Sequence, residues 1–150
     1  MAQITCEELN AVWNVKKQLE REQRRLVDLE ICAGSTTPRL DGMPHTTPLT
    51  YKTERIATLI LDCHNAIEQL SQQLVQSKFI LLQKLKSFNL RELQERVLSY
   101  HYVACLKFKE IAKLMNYTSQ YIIKLHSQGP YSLGLSLGEM NSCKSLSHFH

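Results

Sequence analysis

The sequence predicts an all-α protein, a long helical hairpin or coiled coil followed by a three-helix helix-turn-helix unit. Three observations carry this expectation. Gly and Pro are few, 5 and 4 in 150 residues, and they cluster in two places, which leaves long uninterrupted stretches for helices. One such stretch carries an apolar seam at alternating steps of four and three. A shorter one has the small, turn-forming and apolar residues that two helices crossing over a tight turn require.

The first helix is expected over residues 5–32. Thr5 precedes Glu7 and Glu8, whose carboxylates face the positive end of the helix dipole, and no Gly or Pro follows until Gly34. Leu9, Val12, Trp13, Leu19, Leu26 and Leu29 form an incomplete apolar stripe beside a mixed charged face from Lys16 to Arg25. Trp13 reads as a packing residue. Residues 33–52, AGSTTPRLDGMPHTTPLTYK, hold three of the four prolines and two glycines, so they read as a loop.

Thr53 is placed to cap the next helix, 54–86. Ile56, Ile60, Cys63, Ile67, Leu70, Leu74, Ser77 and Leu81 then form a heptad seam. A seam this regular has to be covered, since each apolar side chain left in water costs roughly 1.5–3 kcal/mol. The first helix, folded back as an antiparallel hairpin, could cover it, and so could the same helix of a second subunit in a homodimer through 54–86. The pattern leaves both open.

Asn89 is placed to cap a further helix, with Glu92 three residues on and Leu90, Leu93, Val97, Leu98 and Tyr102 at helical spacing, before a break near 104–106. The helix-turn-helix follows at 108–127, and Gly129-Pro130 is expected to end it. The remainder, rich in Ser, Leu and Gly, reads as a disordered tail. The expected segments are therefore a helical arm at 1–86, a helix-turn-helix unit at 87–128 and a tail at 129–150.

Within FKEIAKLMNYTSQYIIKLHS, Ile111 and Met115 lie on one face of a short helix, and Ala112 is small where the two helices come closest. Asn116 stands at the sharp turn, where a left-handed backbone is needed. Tyr117 is expected to plug the angle between the helices, Thr118 or Ser119 to cap the second helix, and Ile122 and Leu125 to turn inward. Thr118, Ser119, Gln120, Tyr121, Lys124 and Ser127 are left facing outward. They are able to donate to phosphates, and Gln120 can also pair with an adenine edge. Lys107, Lys109 and Lys113 can neutralise nearby phosphates. The blander alternative is a compact bundle end whose lysines form a solvated face.

The formal charge of +4 and pI near 8.8 are too mild to identify a nucleic-acid binder alone. The distribution says more. Residues 83–150 hold nine Lys and Arg against four Asp and Glu, whereas 1–32 and 33–82 balance at five against six and four against four. Five widely spaced cysteines with no CxxC pair read as buried or free thiols. No basic-then-apolar leader and no long apolar run is present, so a cytoplasmic protein without a membrane span is expected. Catalytic motifs, a metal site and a cofactor are not expected, and an enzyme is disfavoured: there is no Walker loop, no HExxH and no glycine fingerprint after a strand. Cys63 and His64 are neighbours, but adjacent helical side chains point about 100° apart, so Cys63 reads as a core thiol. His101 and His126 read as packed or phosphate-facing, and His148 and His150 do not make a site.

Taken with the preceding helix, LRELQERVLSYHYVACLKFKEIAKLMNYTSQYIIKLH resembles region 4 of the sigma-70 family. It also resembles the sigma-like regulators of phages and prophages in Gram-positive bacteria, including the ArpU type that controls late phage genes. The resemblance is carried by Glu95-Arg96-Val97-Leu98, Tyr102, Phe108-Lys109-Glu110-Ile111-Ala112, Tyr117-Thr118 and Ile123-Lys124-Leu125-His126. It covers 90–126 well and 1–128 loosely. It implies a transcriptional regulator acting on double-stranded DNA, with bacterial RNA polymerase as a second partner. The helix from Thr118 to His126 would be the recognition helix, with Ser119, Gln120 and Lys124 nearest DNA. The pattern departs from the family in lacking a sigma region 2, so promoter melting is not implied. The rival expectation is a coiled-coil interaction or assembly protein in which 54–86 is the working part and nucleic acid is irrelevant.

Overall fold

A computed structural model of the chain describes residues 4–34 and 49–133, with the backbone alone for 49–51 and 130–132. The fold is all-α. Helices α1 (Cys6–Gly34), α2 (Leu49–Ser87) and α3 (Glu92–Leu98) lead into a π-helical turn (Ser99–Val103), followed by α4 (Phe108–Met115) and α5 (Ser119–Ser132), with no strand among the described residues. No helix among these residues is long and apolar enough to cross a membrane.

The chain forms two compact units, one of Met1–Val15 with Leu74–His150 and one of Lys16–Gln73. Both long helices therefore run from one unit into the other, and the expected segment boundary at 86–87 falls inside the first. In the second unit Cys63 is buried and its Sγ donates to Glu22 Oε2 of α1 at 3.7 Å, so α1 folds back on the seam within one chain. The seam positions Ile56, Ile60, Ile67 and Leu70 are half-buried. Burial pushes the Cys63 thiol above its ordinary value, and His64 beside it is exposed.

Helix α1 starts as its sequence dictates. The Glu8 N–H donates to Thr5 Oγ1 at 3.2 Å and the Thr5 N–H to Glu8 Oε2 at 3.1 Å, a reciprocal capping box. Glu8 also pairs with Lys84 of α2, and that contact is the main cause holding its carboxyl below the usual range. Beneath this pair Leu9 and Val12 meet Leu81, Leu85, Leu98, Tyr102, Cys105 and Leu133 in one core.

Three helix boundaries differ from the sequence expectation. Helix α2 starts at Leu49, so Thr53 lies inside it rather than capping it. Residues 49–52 contain no breaker, and adding a turn to a formed helix costs little. The N-cap of α3 is Arg91, not Asn89. The Leu90 N–H donates to the Phe88 carbonyl at 2.7 Å, making Asn89 the middle of a γ-turn, while Phe88 and Leu90 pack on the first core. Helix α5 runs through Gly129-Pro130 to Ser132 instead of stopping, so residues 129–133 are not part of a disordered tail; 134–150 lie outside the described residues.

Packing explains the last difference. Leu133 is buried and its N–H donates to the Gly129 carbonyl at 3.0 Å, so apolar burial beyond the proline outweighs the one hydrogen bond it removes. Gly129 lies against α3, where a Cβ would stand 2.9 Å from Leu98 Cδ2. Leu98 is fully buried and has no room to retreat. Gly129→Val, with a helix propensity only slightly better than glycine's, is expected to lower stability by about 1–3 kcal/mol. A urea melt with an unchanged midpoint would contradict this contact.

Cys32, Cys63 and Cys105 are free thiols. Cys6 is disulfide-bonded, against the expectation of thiols throughout, and Cys143 lies outside the described residues.

Candidate nucleic-acid interface

The candidate interface is built on a second core, in which Val97 of α3, Ile111 and Ala112 of α4, and Ile122 and Leu125 of α5 are buried together. Leu93, Leu106, Phe108 and Met115 pack around them. These are the inward positions expected from the sequence, and Val97 shows that α3 is the third helix of the unit.

The turn between α4 and α5 is set locally. Asn116 has φ 57° and ψ 40°, the left-handed conformation that ends α4, and the Tyr117 N–H reaches back to the Ala112 carbonyl at 3.0 Å. Thr118 then caps α5, its Oγ1 accepting from the Tyr121 N–H at 3.3 Å. At the start of α4 the Glu110 carboxylate accepts from the Lys107 N–H at 2.9 Å, which occupies the only acidic side chain between 107 and 127.

The expected outward residues are on the surface. Thr118, Gln120, Tyr121 and Lys124 are exposed, Ser119 and Ser127 half-buried, and Lys107, Lys109 and Lys113 exposed. Around the axis of α5, Gln120, Lys124 and Ser127 lie opposite the buried Ile122 and Leu125, as a period of 3.6 residues requires. Ser127 is partly committed, since its hydroxyl donates to the Ile123 carbonyl at 2.6 Å.

Tyr117 does not plug the angle between the helices. It is 43% exposed and its ring lies 5.2 Å from that of Tyr121. Ile111, Ile122 and Met115 already fill that angle, so an aromatic ring has no space there. The surface also carries Leu114 and Ile123, 62% and 47% exposed, which sequence reasoning passed over. Ile123 follows the core residue Ile122 and so lies about 100° from it around the helix, a signal that was present.

Behind the unit, Trp13, His101, Tyr102, Phe108 and His126 form one aromatic cluster. His101 stacks on Phe108 with centroids 4.5 Å apart and meets His126 edge-on at 4.8 Å. Trp13 Nε1 donates to the His101 carbonyl at 3.0 Å, tying α1 to the π-helical turn. The His101 Nδ1 lies 3.1 Å from the Leu106 carbonyl, which can only accept, so Nδ1 carries the proton. Tyr102 Oη lies 2.9 Å from His126 Nε2, and burial pushes the phenol up to about 12, so it keeps a proton to donate. These histidines are packing groups.

Burial holds His101 below its ordinary 6.5. On acidification the unfolded chain therefore takes up a proton first. Stability is full above about 6.5 and falls as the pH drops below it. Urea midpoints are expected to fall between pH 7.5 and 5.5 for the wild type and to fall less for His101→Gln, and a wild-type midpoint that stays flat would refute this role.

Among the described residues no group of three or more His, Cys, Asp and Glu could hold a metal ion. The string Gly-Leu-Ser-Leu-Gly at 134–138 does match Gly-x-Ser-x-Gly, against the expectation that no catalytic motif occurs. It lies outside the described residues, and that motif acts at a strand-to-helix turn. Comparison with known proteins finds no matching family model, no matching curated protein and no matching solved structure.

Proposed function

We propose that this chain is a DNA-binding transcriptional regulator of the sigma region 4-like, phage or prophage type, which lays α5 in a major groove. The observation that carries this reading is the outward face of α5. Gln120 and Lys124 project opposite the buried Ile122 and Leu125, Lys107, Lys109 and Lys113 are exposed in the same segment, and the one acid in that segment is already bonded to backbone. The left-handed Asn116 turn and the small Ala112 buried between α4 and α5 are what a helix-turn-helix requires, and they favour this reading over a solvated bundle end. On this reading the lysines neutralise phosphates, Gln120 and Lys124 approach the bases, and α1 and α2 are left to contact RNA polymerase.

Fluorescence anisotropy of labelled phage late-promoter duplexes across a salt series tests this. The wild type is expected to bind in a salt-dependent manner. Gln120→Ala/Lys124→Ala is expected to bind about tenfold or more weakly, since each well-made contact contributes about 1–3 kcal/mol. An unchanged variant would remove α5 from the interface.

A second reading is supported by exposed Val75, Phe79 and Ile80 on α2, an apolar face suited to a protein partner or a homodimer. Under it, Val75→Asp/Phe79→Asp abolishes self-association seen by light scattering. Under the DNA reading, the same variant still binds duplex.

A further inference from the structure

We infer that α5 reads an A·T step, with Gln120 pairing to an adenine edge and Ile123 packing on the C5-methyl of a neighbouring thymine. This rests on the proposed docking of α5 on DNA and names what that face selects. The other outward side chains are committed or chemically unspecific. Thr118 caps α5 through its hydroxyl, Ser127 donates to the Ile123 carbonyl, and Tyr121 lies against Tyr117. Lys124 is a point charge that suits phosphate or guanine without distinguishing them by shape.

Ser119 is half-buried, and its hydroxyl both donates and accepts, so it suits any base; Gln120 and Ile123 remain as the selective pair. A glutamine amide offers one donor and one acceptor, the pairing that adenine N7 and N6 present in the major groove. Ile123 is 47% exposed, and an apolar side chain reaching base edges finds one apolar group there, the thymine methyl. Three residues of helix rise about 4.5 Å, close to the roughly 3.4 Å between stacked bases, so the two side chains can meet successive base pairs. The charge of the segment favours a duplex occupant over an apolar protein surface, because Lys124 adjoins Ile123 on α5, Lys107, Lys109 and Lys113 are exposed, and the one acid between 107 and 127 is bonded to backbone.

Selection of binding sites from a random duplex pool by the full chain, followed by replacement of thymine with uracil in the enriched site, tests the inference. The enriched site is expected to contain an A·T step. Uracil, which lacks the methyl, is expected to weaken wild-type binding about fourfold and to leave Ile123→Ala unaffected, and Gln120→Ala is expected to relax selection at one adenine. Enrichment with no thymine-to-uracil effect overturns this inference while leaving DNA binding standing. Absence of any enrichment together with absence of salt-dependent duplex binding overturns the proposed function and this inference with it.

Discussion

Replacing Ile122 by Ala is expected to lower stability by about 2–4 kcal/mol and to abolish any activity of α5. Ile122 is fully buried among Val97, Ile111, Ala112 and Leu125, and truncating such a side chain loses its transfer free energy and leaves a cavity. The neighbouring substitution is the control. Ile123→Ala removes the same atoms from a side chain 47% exposed on the opposite flank and is expected to stay within about 0.5 kcal/mol of wild type. Urea denaturation of the two variants checks the pair, and equal losses would mean that α5 is rotated from the described orientation.

Replacing Lys107, Lys109, Lys113 and Lys124 together by Gln is expected to leave the fold intact and to weaken duplex binding by about three orders of magnitude near 0.1 M salt. The fold survives because all four side chains are exposed. The affinity falls because Lys107, Lys109 and Lys113 each neutralise a phosphate and release counterion at a slope of about 0.9, about 2.7 together, and because Lys124 loses its base contact. Anisotropy across a salt series reads both quantities, and an unchanged slope would place the phosphate contacts elsewhere on the chain.

The parts of this fold legible in the sequence are those fixed by neighbours along the chain. Asn116 was readable because a left-handed residue between two short helices is a local requirement. Ile111, Ala112, Ile122 and Leu125 were readable because helical spacing sorts inside from outside. Cap chemistry narrowed the start of α5 to Thr118 or Ser119, and the Tyr121 N–H selects Thr118. The heptad seam was equally plain, although its covering helix was not, since a partner in the same chain and one in another subunit satisfy the same pattern.

The misread features depend on contacts remote in sequence. Asn89 has the chemistry of a cap, but Phe88 and Leu90 pack on a core that joins Leu9, Leu81, Leu85, Leu98, Tyr102 and Leu133, and the helix starts later. Pro130 has the chemistry of a stop, but burial of Leu133 carries the helix past it. The π-helical turn bends the chain so that His101 and Tyr102 are both buried, and Trp13 reaches His101 across 88 residues. Tyr117 was misplaced because its ring suits either a core or a surface, and only the volume already filled decides between them.

The most direct test of the central claim is amide chemical-shift mapping on the isotopically labelled full chain during titration with a short duplex at low salt. Shifts are expected to concentrate at 118–127, over the α5 cap and helix, and at Lys107, Lys109 and Lys113 before and along α4, with α2 unaffected. Shifts absent from α5, or centred on Val75, Phe79 and Ile80, would contradict it and make the exposed face of α2 the working surface.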